Sequence, residues 1–168
     1  MKITSSQANK LLAKLKDDLN SLLQKEATTC RFNAAVGEDI ESVRPEYSYD
    51  ETRAQVSEIN RKIRHIKHAL NVFNSTTVVP GVEMTIDEVL VYLPQLTKEK
   101  DRLNRLRSCR PKERVDFTRA HSNILDYVYT NYDVKKADAA YSEVSNLLSK
   151  VQNALDVVNN TVEFDLDI

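Results

Sequence analysis

The chain has 168 residues with a formal net charge of −1, and 29% of its residues are charged. Two Gly and four Pro residues are too few for a protein made of tight turns, so the composition predicts a mainly helical protein that buries a core of its own. The balanced charge argues against a surface that binds nucleic acid throughout, and the polar N-terminus and short apolar runs predict a soluble, cytoplasmic protein with no membrane span.

The first helix is predicted to start near Thr4 and to end around Ala27, because Thr4-x-x-Gln7 matches a capping box. Its apolar residues recur at spacings of three and four: Ala8, Leu12, Leu15, Leu19 and Leu22. The periodicity is lost from Thr28 to Tyr49, where acidic residues surround Arg44-Pro45. We expect a long acidic loop that is either functional or packs against a neighbour.

Asp50 is predicted to cap the second helix, which has an unbroken apolar seam. The seam consists of Val56, Ile59, Ile63, Ile66, Leu70 and Phe73. Ser75 to Val79 is predicted to be a short strand that ends at the turn Pro80-Gly81.

Thr85-x-x-Glu88 predicts the capping box of a third helix. Its inward residues are expected to be Ile86, Val89, Leu93, Leu96, Leu103 and Leu106. Pro94 should kink or split this helix. Arg110 to Asn123 is basic and irregular, whereas Ile124 to Tyr132 is rich in β-branched and aromatic residues and is predicted to be extended.

Asp133 is predicted to cap a fourth helix. Its seam consists of Tyr141, Val144, Leu148, Val151, Leu155 and Val158. The C-terminal sequence TVEFDLDI alternates apolar and acidic residues, which predicts a strand with one buried face and one acidic face.

Two segments match one another without gaps. Val56 to Thr77 and Tyr141 to Val162 share seven identities in 22 positions. We therefore predict one helical domain over residues 1–168 with an internal duplication, about 50–79 and 133–167. In each copy the helix should end at an Asn, Asn74 or Asn159, in the left-handed conformation; a second helix that continues through Ser75 would count against common descent.

These elements predict a mainly α fold: two antiparallel helical hairpins made of four long helices with coiled-coil-like packing, and a small β-sheet at one end. Seams this narrow leave the helix flanks polar. Further self-association is therefore expected to involve helix ends, strands and loops.

Basic residues on the second helix form one candidate site. Arg61, His65 and His68 lie on the face away from the seam, where they either bind an anion or a metal ion or form a solvated basic face. The pairs Arg61–His68 and Arg114–His121 also fit the loose Arg-x(4–6)-His spacing of HEPN-type ribonucleases.

A second candidate site is the basic segment from Lys98 to Arg119, which holds nine Lys or Arg against four Asp or Glu. Its predicted anion- or partner-binding residues, together with Arg44, are Arg102, Arg105, Arg110, Arg114 and His121. The segment either binds nucleic acid or meets the acidic loop 38–51 of the same or another subunit, and the second alternative is preferred.

Five tyrosines precede the two duplicated helices: Tyr47, Tyr49, Tyr127, Tyr129 and Tyr132. They either plug the layer between helices and strands, with each hydroxyl bonded, or line a pocket with Arg44, His121 and Asn123. Cys30 and Cys109 do not form a metal-binding set, and we expect both to be packing residues. The sequence contains no coherent catalytic set and no nucleotide-binding loop, so no cofactor is predicted and the protein is interpreted as non-enzymatic.

Several segments resemble a family of uncharacterised bacterial proteins often labelled septicolysin. They are RPEY (44–47), TTVVPGVEMT (76–85), RPKERV (110–115), NILDYVYTNYD (123–133) and NNTVEFDLDI (159–168). The resemblance implies a bacterial, mainly helical, oligomeric protein, and the label implies a membrane-active toxin. Our leading hypothesis is a non-enzymatic cytoplasmic homo-oligomer that acts as an interaction or scaffold module; the alternatives are a nucleic-acid-binding or HEPN-like nuclease and the toxin.

Overall fold

The computed structural model describes residues 1–114 and 127–167. The chain divides into two compact units, Met1–Thr76 with Val157–Ile168, and Thr77–Asp156. The described residues form a mainly helical structure with three two-stranded sheets. The elements are β1 (Lys2–Thr4), α1 (Ser5–Thr29), α2 (Ile40–Val43), α3 (Tyr49–Thr76), β2 (Val78–Val79), β3 (Met84–Thr85), α4 (Ile86–Arg107), β4 (Lys112–Arg114), β5 (Tyr127–Tyr129), α5 (Val134–Thr161) and β6 (Glu163–Asp165).

Helix α1 starts at the predicted capping box. The backbone N–H of Gln7 donates to Thr4 Oγ1 at 3.3 Å, and Gln7 Oε1 accepts from the Thr4 N–H at 3.0 Å. The long acidic loop contains the short helix α2, which Asp39 caps. Helix α3 begins at Tyr49, so Asp50 belongs to its first turn and the predicted Asp50 cap is wrong; instead the Ser48 hydroxyl accepts from the N–H of Glu51 at 3.4 Å.

A hydrophobic core joins the beginning of α1 to the end of α3. Its buried members are Ile3, Ala8, Leu12, Ile66, Leu70 and Leu166. Ile66 and Leu70 are two residues of the predicted seam, and Phe73 is buried one turn later, where its ring stacks on Phe164 at 4.7 Å between centroids. The three-four repeat of α3 thus identified its buried face correctly.

Strand β6 closes this core by pairing antiparallel with β1, Ile3 opposite Phe164. Leu166 is 1% exposed, whereas Glu163 and Asp165 are exposed, as the alternation of the C-terminal sequence predicted. The Met1 ammonium donates to the Leu166 carbonyl at 2.7 Å. The sequence did not predict β1, because the strand has three residues and the last of them, Thr4, is itself the helix cap.

In the second unit, β2 and β3 form an antiparallel pair joined by the predicted Pro80-Gly81 turn. Gly81 and Glu83 both have positive φ, 77° and 57°, which the turn requires. Thr85 is the N-cap of helix α4, and its N–H donates to Glu88 Oε2 at 2.8 Å, as the capping box predicted. Pro94 lies inside α4 and does not split it.

Helices α3 and α5 both run two residues beyond the Asn at which we expected them to end. Among the described residues that are not Gly, Glu83 is the one with positive φ, so neither Asn74 nor Asn159 has the predicted left-handed conformation. Each helix ends instead at a Thr, Thr76 or Thr161, whose hydroxyl donates to the carbonyl four residues earlier at 2.7 Å. A Thr hydroxyl bonded in this way fits the last helical turn without left-handed backbone.

Helix α3 continues through Ser75, which is the outcome that counts against common descent of the two segments. The two helices nevertheless each contain 28 residues, and their ends Tyr49–Thr76 and Val134–Thr161 coincide in the gapless alignment. The duplication stays a prediction.

In place of the predicted small sheet, the described residues form three separate two-stranded sheets, β1–β6, β2–β3 and β4–β5. The third arises where the sequence predicted irregular chain, since Lys112–Arg114 is a strand. No helix in residues 1–114 or 127–167 is long and apolar enough to cross a bilayer.

Candidate functional site

The β4–β5 ribbon, Lys112–Arg114 paired with Tyr127–Tyr129, has two chemically different faces. Lys112 lies opposite Tyr129, and Arg114 lies opposite Tyr127. Opposite residues of an antiparallel pair project to the same face, and next neighbours project to the other. One face therefore carries two cations and two phenol rings, and the other carries the pair Glu113 and Val128.

Neither face of the ribbon is covered by the part of the chain that the structure describes. Tyr127, Val128 and Tyr129 are 43%, 59% and 62% exposed, and all three residues of β4 are exposed. The predicted role of tyrosine plugs is therefore wrong for Tyr127 and Tyr129. A two-stranded ribbon with no packed face is marginally stable in water, so its apolar groups are available to a partner.

Lys112 lies over both phenol rings of the basic face. Its Nζ is 4.1 Å from the Tyr127 ring centroid and 5.4 Å from that of Tyr129, while the two rings are tilted by 50° with centroids 6.4 Å apart. Attraction between an ammonium group and ring quadrupoles orders these side chains in the unbound protein.

The base of the ribbon is fixed to the end of α4. The N–H of Thr130 donates to the Pro111 carbonyl at 3.2 Å, and the Tyr132 hydroxyl donates to the Leu106 carbonyl at 2.8 Å. A hydrogen bond with Cys109 raises the pKa of Tyr132. Tyr132 thus has the bonded hydroxyl predicted for a plug, and it anchors the start of the ribbon.

A second anchor joins α4 to α5 within the same unit. The Arg107 guanidinium lies 3.7 Å from the Tyr141 ring centroid, and its Nη1 is 3.2 Å from Asp138 Oδ1. Lys100 Nζ lies 5.9 Å from the same ring, so both cations lie beside Tyr141. These two cations are structural.

The predicted cationic set of the basic segment divides into paired and unpaired residues. Arg102 donates through Nε to Glu99 at 2.7 Å, which lowers the pKa of Glu99. Within the described ranges, no carboxylate lies within ion-pair distance of Arg105, Arg110 or Arg114. His121 lies outside the described residues. The unpaired members of this set are therefore Arg105 in the last turn of α4, Arg110 before the ribbon and Arg114 on its basic face.

The remaining predicted anion sites are occupied by local carboxylates. Arg44 binds Glu41 at 2.8 Å. Arg61 donates through two nitrogens to Glu58, at 2.8 Å each, and this lowers the pKa of Glu58 to about 2. The Arg61 guanidinium, which belongs to both the predicted surface site and the Arg–His spacing, is therefore bonded to a carboxylate of its own helix.

His65 and His68 are exposed. The residues that the structure describes hold no group of three or more His, Cys, Asp or Glu that could bind a metal ion. Both interpretations of this helix face, the anion or metal site and the solvated basic face, stay predictions.

Tyr47 is bonded to helix α1 within the first unit. Its hydroxyl donates to Glu26 Oε1 at 2.8 Å, and this bond to a carboxylate raises the pKa of Tyr47 to about 12. A polar cleft of about 330 Å³ lies beside this bond, and Glu26, Glu46 and Glu51 are among its lining residues. These carboxylates would repel an anion.

One signal in the sequence could have revealed the ribbon. Tyr127-Val128-Tyr129 was correctly predicted to be extended, and an extended strand needs a partner. The partner has the sequence Lys-Glu-Arg, and the sequence did not predict it as a strand because charged residues such as Lys and Glu are uncommon in strands. Charged strands are common where a strand is exposed on both sides, so the absence of apolar alternation should not have excluded one.

Comparisons with known proteins identify a similar fold but no function. No family model and no curated protein matches the chain. The fold is similar to the crystal structure of a functionally unknown conserved protein from Corynebacterium diphtheriae, with a TM-score of 0.61 and 14% identity over 98% of this chain and 100% of that chain. The resemblance to the proteins labelled septicolysin stays a prediction.

Proposed function

We propose that this protein is a non-enzymatic homo-oligomer that acts as an interaction module, with the β4–β5 ribbon as the element that joins copies. The observation that carries the proposal is the exposed outer edge of β5, which no described strand covers. Cytoplasmic location, membership of the septicolysin-labelled family and coiled-coil-like packing of two helical hairpins belong to the same proposal.

The two edges of the ribbon differ in their suitability for strand pairing. The β4 edge carries Lys112, Glu113 and Arg114, and charged side chains discourage a second strand from pairing. The β5 edge consists of Tyr127, Val128 and Tyr129, which are uncharged and have high β propensity. Association through β5 is therefore favoured over association through β4.

Two β5 strands pair most simply in antiparallel orientation about a two-fold axis, with Val128 opposite Val128 of the second copy. Such an isologous contact satisfies the unpaired backbone groups of both edges at once. It also brings Val128, 59% exposed in one copy, beside a second apolar side chain.

Cross-linking tests this arrangement directly. Facing residues of antiparallel strands have Cα atoms about 4.5–5.5 Å apart, within the range that a disulfide spans. In a background with Cys30→Ser and Cys109→Ser, we expect Val128→Cys to give a covalent dimer on mild oxidation. The matched control is Val36→Cys, because Val36 is fully exposed and lies between α1 and α2, outside the strands.

Native mass spectrometry supplies the second test. The wild-type protein should be oligomeric at micromolar concentration, and Val128→Asp should shift it towards monomer because it places two like charges directly opposite each other on the paired strands. Val36→Asp should leave the number of subunits in the oligomer unchanged. A wild-type monomer, or an oligomer that Val128→Asp does not weaken, would contradict the role of β5.

A further inference from the structure

We infer that the basic face of the ribbon, formed by Lys112, Arg114, Tyr127 and Tyr129, binds single-stranded nucleic acid. The site uses side chains on one face, whereas pairing between copies uses the backbone edge and Val128. The inference therefore does not depend on the proposed oligomer, and the two fail separately.

Charge identifies the class of ligand. Lys112 and Arg114 lie side by side on the basic face, Arg110 precedes the strand, and the ribbon's carboxylate, Glu113, projects to the opposite face. In the described structure none of these three cations has an ion-pair partner, in contrast to Arg102 and Arg107. A row of unneutralised cations beside aromatic rings complements a polyanion that also carries flat bases.

The rings identify the form of the nucleic acid. Tyr127 and Tyr129 retain 43% and 62% exposure even with Lys112 over them, so ring surface remains available for stacking. Bases stack on aromatic side chains when they are unpaired, whereas the bases of a duplex are stacked on each other and present mainly phosphates at the surface. Residues of one strand that are two positions apart project side by side, which suits two successive unpaired bases.

The cation–ring contact gives a mechanism for binding. In the unbound protein Lys112 Nζ is held over the two rings, so the phenols are already ordered before a strand arrives. Ordering side chains in advance lowers the entropic cost of binding. When the nucleic acid approaches, the Lys112 ammonium group can move from the rings to a phosphate of the nucleic acid. The ring faces are then exposed to the bases.

Fluorescence anisotropy with a labelled oligothymidylate and a labelled oligouridylate tests the inference. Each probe has about 20 nucleotides, longer than the ~4–16 nucleotides that one binding fold usually covers. With three cations engaged, the slope of log affinity against log salt should be about −2, and Arg114→Ala should reduce its magnitude by about 0.7. Tyr127→Ala and Tyr129→Ala should each weaken binding about tenfold, since each removes a stacked base.

Controls separate stacking from general attraction and from misfolding. Tyr127→Phe and Tyr129→Phe keep the rings and should bind nearly as the wild type does. Tyr49→Ala removes a tyrosine of 59% exposure from α3, and Arg53→Ala removes an exposed cation from the same helix; neither should change the affinity. Circular dichroism confirms that the helices are intact in each variant.

A duplex of the same length should bind about tenfold more weakly than the single strand or worse, because it cannot supply unpaired bases. Absence of binding at about 50 mM salt would overturn the inference. So would binding that is equally strong for the duplex or that both Tyr→Ala variants leave unchanged. Native mass spectra of the same samples report the number of subunits. If the protein is an oligomer but does not bind the probes, the nucleic-acid inference has failed and the proposed oligomer has not.

Discussion

The guanidinium of Arg107 lies 3.7 Å from the ring centroid of Tyr141 and also binds Asp138 at 3.2 Å. One side chain at the end of α4 thus makes two different contacts with the second turn region of α5. Since Arg107 immediately precedes the segment that leads to the ribbon, these contacts fix the point from which the ribbon extends.

We expect Arg107→Ala to lower the free energy of unfolding by about 1–2 kcal/mol, because it removes both a cation–ring contact and an exposed ion pair. Arg107→Lys keeps the charge but not the planar group, so its effect should be intermediate. The measurement is urea denaturation followed by circular dichroism. Arg105→Ala is the matched control: Arg105 is exposed with no carboxylate near it in the described chain, and a change beyond about 0.5 kcal/mol there would refute the assignment.

Ile66 tests the core between α1 and α3. It is 0% exposed, so Ile66→Ala should cost about 2–5 kcal/mol and Ile66→Val about 0.5–1.5 kcal/mol. Val72 lies on the same helix but is 48% exposed, and Val72→Ala should change stability by about 0.5 kcal/mol or less. Equal costs at the two positions would show that the buried face of α3 is misassigned.

The capping box of α1 predicts a specific cost for Thr4→Ala. The variant leaves the N–H of Gln7 without its side-chain acceptor, which typically costs about 1 kcal/mol. Thr97→Ala serves as the control because the Thr97 hydroxyl donates to a carbonyl within α4, where alanine is an adequate helix former. Thermal unfolding should show a lower Tm for Thr4→Ala alone.

The bidentate bond between Arg61 and Glu58 predicts a dependence on pH. The pKa of Glu58 is lowered from its ordinary 4.5 to about 2, and the largest cause is hydrogen bonding from Arg61. Because the folded-state pKa is depressed, the stabilisation is fully present above pH 4.5 and is lost as the pH falls towards about 2. In an NMR titration the pKa of the Glu58 carboxyl should rise towards 4.5 in Arg61→Gln, without reaching it because Lys62 also lowers it, and it should stay low in Arg64→Gln.

The sequence predicted the buried faces better than the ends of the elements. Ile66 and Leu70 were placed correctly because burial imposes the helical period on apolar residues over several turns. The ends of α3 and α5 were misplaced because Asn74 was read as a left-handed residue, while a Thr hydroxyl that bonds back into the helix allows two further residues. A helix end depends on one or two local hydrogen bonds, which leave little trace in the apolar pattern.

Pairing between distant strands was the least predictable feature. β1 and β6 lie at opposite ends of the sequence, and the alternation in β6 shows that one face is buried without showing by what. The candidate site was foreseen in part: Arg110 and Arg114 were singled out for charge, and Tyr127 and Tyr129 for a shared tyrosine cluster. Their meeting on one face required the register of β4 against β5, which composition does not encode.

The division of the chain has a consequence for synthesis on the ribosome. Thr77–Asp156 is continuous, so this unit can complete its contacts as soon as its own residues have emerged. The other unit combines Met1–Thr76 with Val157–Ile168, and at about 5–20 residues per second the intervening stretch delays its completion by about 4–16 s. During that interval β1 has no β6 with which to pair, and the core that contains Ile3 and Leu12 lacks Leu166. Exposed apolar surface and unpaired strand edges favour aggregation, so this is the period in which a chaperone is most useful.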